Sequence, residues 1–81
     1  MRNEAVRQAR HHWVLEELAS GRAQATVRRA GRSNADVARV CKVTTPSVWR
    51  WFNDDRRPRM AAALRLADYL DLLELEEWER R

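Results

Sequence analysis

The sequence predicts an all-α fold, a compact bundle of about five to six helices forming one domain over residues 1–81. Three observations lead there. Only two Gly and two Pro interrupt a chain rich in Ala, Leu, Arg and Glu, the composition of helices joined by short connections. Apolar residues recur at intervals of three and four, the helical period. Alternation with a period of two is absent and β-branched residues do not cluster, so no strand is expected. With 81 residues the core is modest, and a dimer or a bound partner would add stability.

The elements follow in order. Residues 3–19 read as a helix that Asn3 can cap, with Val6, Ala9, Trp13, Val14 and Leu18 at helical spacing. Ser20-Gly21 breaks it. A second helix, about 22–30, carries Ala23, Val27 and Ala30, and Gly31 supplies the left-handed residue that helix ends often require. Ser33 or Asn34 caps a short helix to about Cys41, with Val37, Ala38, Val40 and Cys41 apolar. Lys42-Val43 makes a tight connection. Thr44 caps the next helix, about 45–52, and Pro46 falls in its first turn, where the missing N–H costs nothing. Asn53 to Pro58 is a polar loop. A helix over about 60–70 presents Ala63, Leu66, Ala67 and Leu70, and a last segment over about 72–80 carries Leu72, Leu73, Leu75 and Trp78 among Glu74, Glu76, Glu77 and Glu79.

The net charge of +4 is distributed unevenly. Residues 1–21 are neutral. Residues 22–59 hold ten basic side chains against three acids, and residues 60–81 hold three against six. A basic centre beside an acidic tail is the footprint of a polyanion-binding protein. All the basic residues but Lys42 are Arg, whose planar fork suits phosphates and guanine edges. The single cysteine, Cys41, forms no internal disulfide, which suits a reducing compartment. No apolar run approaches the roughly 18 residues of a membrane span, and no signal-peptide pattern is visible. The expected location is cytoplasmic, with no membrane partner. No nucleophile–base pair, phosphate-binding Gly loop or metal motif is present, so neither an enzyme nor a cofactor is expected.

The informative stretch runs from Ser33 to Asn53 and is the helix-turn-helix over residues 34–53. Two short helices separated by about three residues pack steeply only where the contact residue is small, and Ala38 sits there. Val43 can plug the turn. Val48, Trp51 and Phe52 put an apolar stripe on the inward side of the second helix. Thr45, Ser47, Trp49 and Arg50 are left on the other side, able to reach base edges or phosphates.

This arrangement resembles the lambda-repressor-like helix-turn-helix family, which includes phage Cro proteins and many small bacterial regulators. The matching positions are Asn34, Val37, Ala38, Val43, Thr44, Val48, Trp51 and Asn53. The Arg56-Arg57-Pro58 run and the phrase Leu64 to Leu70 also look like that family. The resemblance covers about residues 22–71, leaving residues 1–21 as an extra N-terminal helix. Two positions depart from the pattern: Lys42 stands where many members have Gly, and Asp54 follows Asn53 where Gly is usual. The resemblance implies that Thr45, Ser47, Trp49 and Arg50 face the major groove, with Arg50 the best candidate for a guanine. It implies phosphate contacts for Arg32, Asn34, Asn53, Arg56, Arg57 and Arg59, with Asn34 also buttressing Thr45 and Asn53 holding the backbone beyond the helix.

Other residues have plainer readings. Trp51 and Phe52 belong to the core, whereas Trp49 either touches thymine methyls or packs on a neighbouring element. Arg39 lies on a solvated face. His11-His12 is a surface pair, because adjacent helical residues diverge by about 100° and no further ligand lies nearby. Cys41 is a small core residue. Leu72, Leu73, Leu75 and Trp78 either close the core or pair two protomers, with Trp13 assisting; the dimer is the favoured expectation. The expected function is sequence-specific binding of double-stranded DNA by a homodimeric repressor of the phage or plasmid type, acting by occupancy of a palindromic operator without an effector domain. The alternative is a protein-interaction module, such as an antitoxin that covers a partner protein with the long first helix, or with the acidic tail and Trp78, and autoregulates. An exposed apolar patch on the first helix would favour it.

Overall fold

The computed structural model describes residues 2–80 and contains five helices and no strand among them. They are α1 (Arg2–Ser20), α2 (Arg22–Arg29), α3 (Asn34–Cys41), α4 (Thr45–Asn53) and α5 (Met60–Glu79). The two C-terminal segments expected from the sequence are one continuous helix. Nothing between Met60 and Glu79 breaks it, and Leu66, Leu70 and Leu73 continue one buried stripe across the expected boundary.

Helix α5 is the mast of the bundle. Helices α1, α2 and α3 pack against it, while α4 rests on α3 and, secondarily, on α1. The shared core comprises Val14 of α1, Ala23 and Val27 of α2, Val37, Ala38 and Cys41 of α3, Val48 and Trp51 of α4, and the inner stripe of α5. Burial pushes the Cys41 thiol up to about 11, so it is a neutral packing residue.

The added helix α1 is integral to this packing. Val14 is fully buried, and Trp13 and Leu18 lie against the core. Val6 and Ala9, expected on the same apolar stripe, are exposed; Ala9 lies five residues before the buried Val14 and so about 140° from it around the helix. Polar contacts fix α1 instead. Arg10 donates to Asp68 at 3.1 Å and Asp71 at 2.8 Å on α5, and Glu17, itself buried, pairs with Arg22 at 2.8 Å. His11 Nε2 lies 3.4 Å from the Pro58 carbonyl and His12 faces Glu16 at 3.7 Å. His11 thus ties α1 to the loop before α5 while His12 meets a neighbour within α1, and no metal-binding cluster occurs among the described residues.

The connections are set by local chemistry. Gly31, at φ 71°, closes α2, with its N–H on the Arg28 carbonyl and the Arg32 N–H on the Val27 carbonyl. These two bonds satisfy carbonyls that a helix end leaves open.

Candidate nucleic-acid interface

Helix α3 begins at a reciprocal capping box. The Ser33 hydroxyl accepts from the Asp36 N–H at 3.1 Å, and the Asp36 carboxylate accepts from the Ser33 N–H at 2.8 Å. This settles the cap as Ser33, with Asn34 the first helical residue. The Ser33 N–H, then its hydroxyl and the Arg39 guanidinium, hold the Asp36 carboxyl below the usual carboxylate range. A carboxyl depressed by folding stabilises the fold above its ordinary pKa and loses that contribution as pH falls through the folded value. Thermal midpoints should therefore fall below about pH 4, and Asp36→Asn should flatten that limb of the stability–pH curve.

The turn after α3 repeats the geometry of the Gly31 turn with a different residue. Lys42 adopts φ 60° and ψ 44°, its N–H reaches the Arg39 carbonyl, and the Val43 N–H reaches the Ala38 carbonyl at 3.0 Å. The left-handed position, often Gly in the family the sequence resembles, is thus retained, at a cost of about 1–2 kcal/mol for a residue with a Cβ. Part of that cost is offset because Gly loses more chain entropy on folding. Lys42→Gly should stabilise the protein by about 0.5–1 kcal/mol and raise the thermal midpoint by a few degrees, readable by calorimetry. No gain would mean that the turn relaxes away from this conformation.

Val43 lies against the core from the turn, and Thr44 then caps α4, its hydroxyl accepting from the Ser47 N–H at 3.3 Å. Inside α4, Val48 is fully buried, Trp51 is 7% exposed and Phe52 is half-buried against the core. At about 100° per residue, the side opposite Val48 and Trp51 carries Trp49, Asn53, Pro46 and Arg50, with Thr45 on its flank. All five are exposed. Trp49, 53% exposed, projects outward, which resolves the two readings of it in favour of an available ring.

Ser47 is placed differently from the other three expected reading residues. It is half-buried and its hydroxyl lies 2.9 Å from that of Thr44, so it flanks the outer side rather than standing on it. Pro46 and Asn53 occupy the middle of the outer side, a position the sequence reading overlooked although the helical wheel contains it. The Asn53 amide donates to the Trp49 carbonyl at 3.1 Å and so secures the last turn of α4. No hydrogen bond joins Asn34 to Thr45 among the described residues; Thr45 stands exposed, and the bonding at that end of α4 is between Thr44 and Ser47.

The loop after α4 turns on Asp55, at φ 57°, and the Arg50 carbonyl receives the N–H groups of Asp54 and Arg56. This fixes the backbone that carries Arg56, Arg57 and Arg59, all exposed. A cleft of about 460 Å³ opens between the α3–α4 turn, α4, this loop and the start of α5. Lys42, Arg56, Arg57, Arg59 and Arg65 stand around it, and no carboxylate lines it. Asp54 and Asp55 lie outside that lining; Asp55 belongs to a separate cleft beside α1.

Two sequence expectations are redirected. Arg32, expected on a phosphate, donates to Glu76 at 2.7 Å and to the Tyr69 hydroxyl at 3.3 Å, tying the α2–α3 loop to α5. Leu73, expected at a dimer surface, is 1% exposed and belongs to the core, because it continues the stripe of Leu66 and Leu70. Leu72, Leu75 and Trp78 remain exposed.

No curated protein and no solved structure matches the chain. A family model described as a helix-turn-helix domain matches residues 4–79, taking in α1 as well as the paired α3 and α4. The chain belongs to the helix-turn-helix domain family.

Proposed function

We propose that this protein is a sequence-specific double-stranded DNA-binding regulator that inserts α4 into the major groove and represses by occupying its operator as a dimer. The observation that carries the reading is the exposed outer side of α4 beside a cleft whose charged lining residues are all cationic. Thr45, Trp49 and Arg50 read base edges, with Ser47 at the margin. Arg56, Arg57 and Arg59 hold phosphates, which gives affinity without sequence information. Asn34 and Asn53 lie at the ends of the two helices, where a backbone phosphate could be met. Arg32 acts structurally through Glu76. Two protomers would place their α4 helices in successive major grooves about 34 Å apart. Helix α1 gives an antitoxin-like module little support, since Val6 is the large apolar side chain it exposes, and one residue is not a patch.

Selection of bound sites from randomised duplex tests the reading. The expected product is an enriched site with two half-sites about one helical turn apart. A pool that remains random would overturn sequence-specific binding. Arg57→Ala should weaken binding to every duplex alike and reduce the slope of log K against log salt by about one unit; an unchanged slope would remove Arg57 from the phosphate contacts.

A further inference from the structure

The outer side of α5 carries a pattern that, apart from Arg65 at the edge of the cationic cleft, lies outside the DNA-binding unit. Its inner stripe is buried, and the flanks are covered by α1 on one side and by α2 and α3 on the other. Between them runs an uncovered stripe of Arg65, Asp68, Leu72, Leu75 and Glu79, all exposed. Leu72 is 48% exposed and Leu75 54%, and Val40 of α3 adds a third apolar group beside Leu72. These side chains form a shallow apolar face that a single copy leaves in water. Trp78 projects from another side, near Arg29 and Glu74.

The charges on this stripe are arranged as a mirror. Arg65 lies seven residues before Leu72 and Glu79 seven residues after it, and seven residues make nearly two full turns, so all three share one line along the helix. Among the described residues neither Arg65 nor Glu79 forms an ion pair. The other acids near this face are already neutralised within the subunit: Asp68 by Arg10 at 3.1 Å and Glu76 by Arg32 at 2.7 Å.

We infer that this stripe is the face on which a second copy of the chain docks, with the two α5 helices antiparallel about a two-fold axis at Leu72. An isologous contact of this kind sets residues equally far before and after the axis opposite one another. Leu72 then meets Leu72 of the other copy, and Leu75 flanks that pair on each side. Arg65 meets Glu79 twice, once on each side of the axis. Asp68 falls opposite Glu76, where the Arg10 and Arg32 pairs suppress the repulsion. A parallel arrangement would instead set Arg65 against Arg65 and Glu79 against Glu79. Charge complementarity thus selects both the occupant and its direction. The inference rests on the dimer reading above, but the face itself is independent of DNA.

Sedimentation of the full chain without DNA tests it, with circular dichroism confirming that each variant keeps its helices. The wild type should show a concentration-dependent monomer–dimer equilibrium. Leu72→Asp should weaken dimerisation by more than tenfold. Arg65→Glu and Glu79→Arg should each weaken it roughly tenfold, since each turns two attractions into two repulsions. The double variant carrying both swaps should recover to within about threefold of wild type. A wild type that stays monomeric at millimolar concentration, or a double variant no better than the singles, overturns this face or its register. Binding of the wild type to the selected duplex, measured separately, keeps the two readings apart, because Arg65 also borders the cationic cleft and its variants are read by sedimentation alone. A wild-type monomer that binds DNA removes the face and spares the DNA reading, and a wild-type dimer that binds no DNA does the reverse.

Discussion

Replacing Trp51 by alanine should destabilise the protein by about 3–5 kcal/mol, a large part of the roughly 5–15 kcal/mol that holds a small domain folded. The size of the effect follows from where α4 is anchored. That helix packs on α3 and on α1 but makes no comparable contact with α5, so it depends on a few inward side chains. Val48 is the smaller of its two buried anchors and Trp51 the larger. Trp51 lines both clefts that border the helix, the cationic one and the one against α1, so its removal would open a void between them. Urea unfolding should register the loss, and hydrogen exchange should show α4 amides losing protection before those of α5. Trp49→Ala is the internal control. The same residue type two positions earlier projects into solvent, and its removal should change stability by no more than about 0.5 kcal/mol. Comparable losses for the two variants would show that α4 is rotated from the orientation described.

How much of this was legible in the sequence differs from residue to residue, for physical reasons. The helix-turn-helix boundaries could be read because short-range chemistry fixes them. Ser33 and Thr44 cap the two helices through bonds that span three residues, and Pro46 tolerates only a first turn. The left-handed turn at Lys42 was anticipated as a tight connection, although the residue expected in that conformation was glycine. Helix α5 was divided at Asp71, yet Asp71 is no helix breaker and its carboxylate is used by Arg10. The same division misassigned Leu73. Adjacent helical residues point about 100° apart, so the buried Leu73 and the exposed Leu72 cannot share a surface. The fate of Arg32 was beyond reach, because Glu76 lies 44 residues away and only the packing of the α2–α3 loop on α5 brings the two together. Thr45, Trp49 and Arg50 were legible as outward-facing through the apolar period of their neighbours. Ser47 was wrongly grouped with them, because it precedes the buried Trp51 by four residues and the same period sets it about 40° from that ring.

Replacing Arg50 by alanine should weaken binding to the preferred duplex by about 1–3 kcal/mol, while binding to unrelated duplexes falls much less. The argument starts from what Arg50 does not do. It is exposed on α4, and no carboxylate pairs with it among the described residues, so its guanidinium is free to bond elsewhere. Its backbone, by contrast, is held twice, since its carbonyl receives the Asp54 and Arg56 N–H groups. A fixed backbone with an uncommitted fork is well suited to bonding the two acceptors of a guanine edge in the major groove, a contact that depends on the base pair presented. Arg57, on the loop, lacks that placement and should act through charge alone. Competition titrations of both variants against preferred and scrambled duplexes separate the roles. Arg50→Ala should collapse the ratio between the two affinities and relax the preference at one position per half-site. Arg57→Ala should leave that ratio nearly intact while lowering both affinities. If Arg50→Ala lowers both affinities equally, the base-reading role passes to Thr45 or Trp49, and Arg50 joins the phosphate contacts.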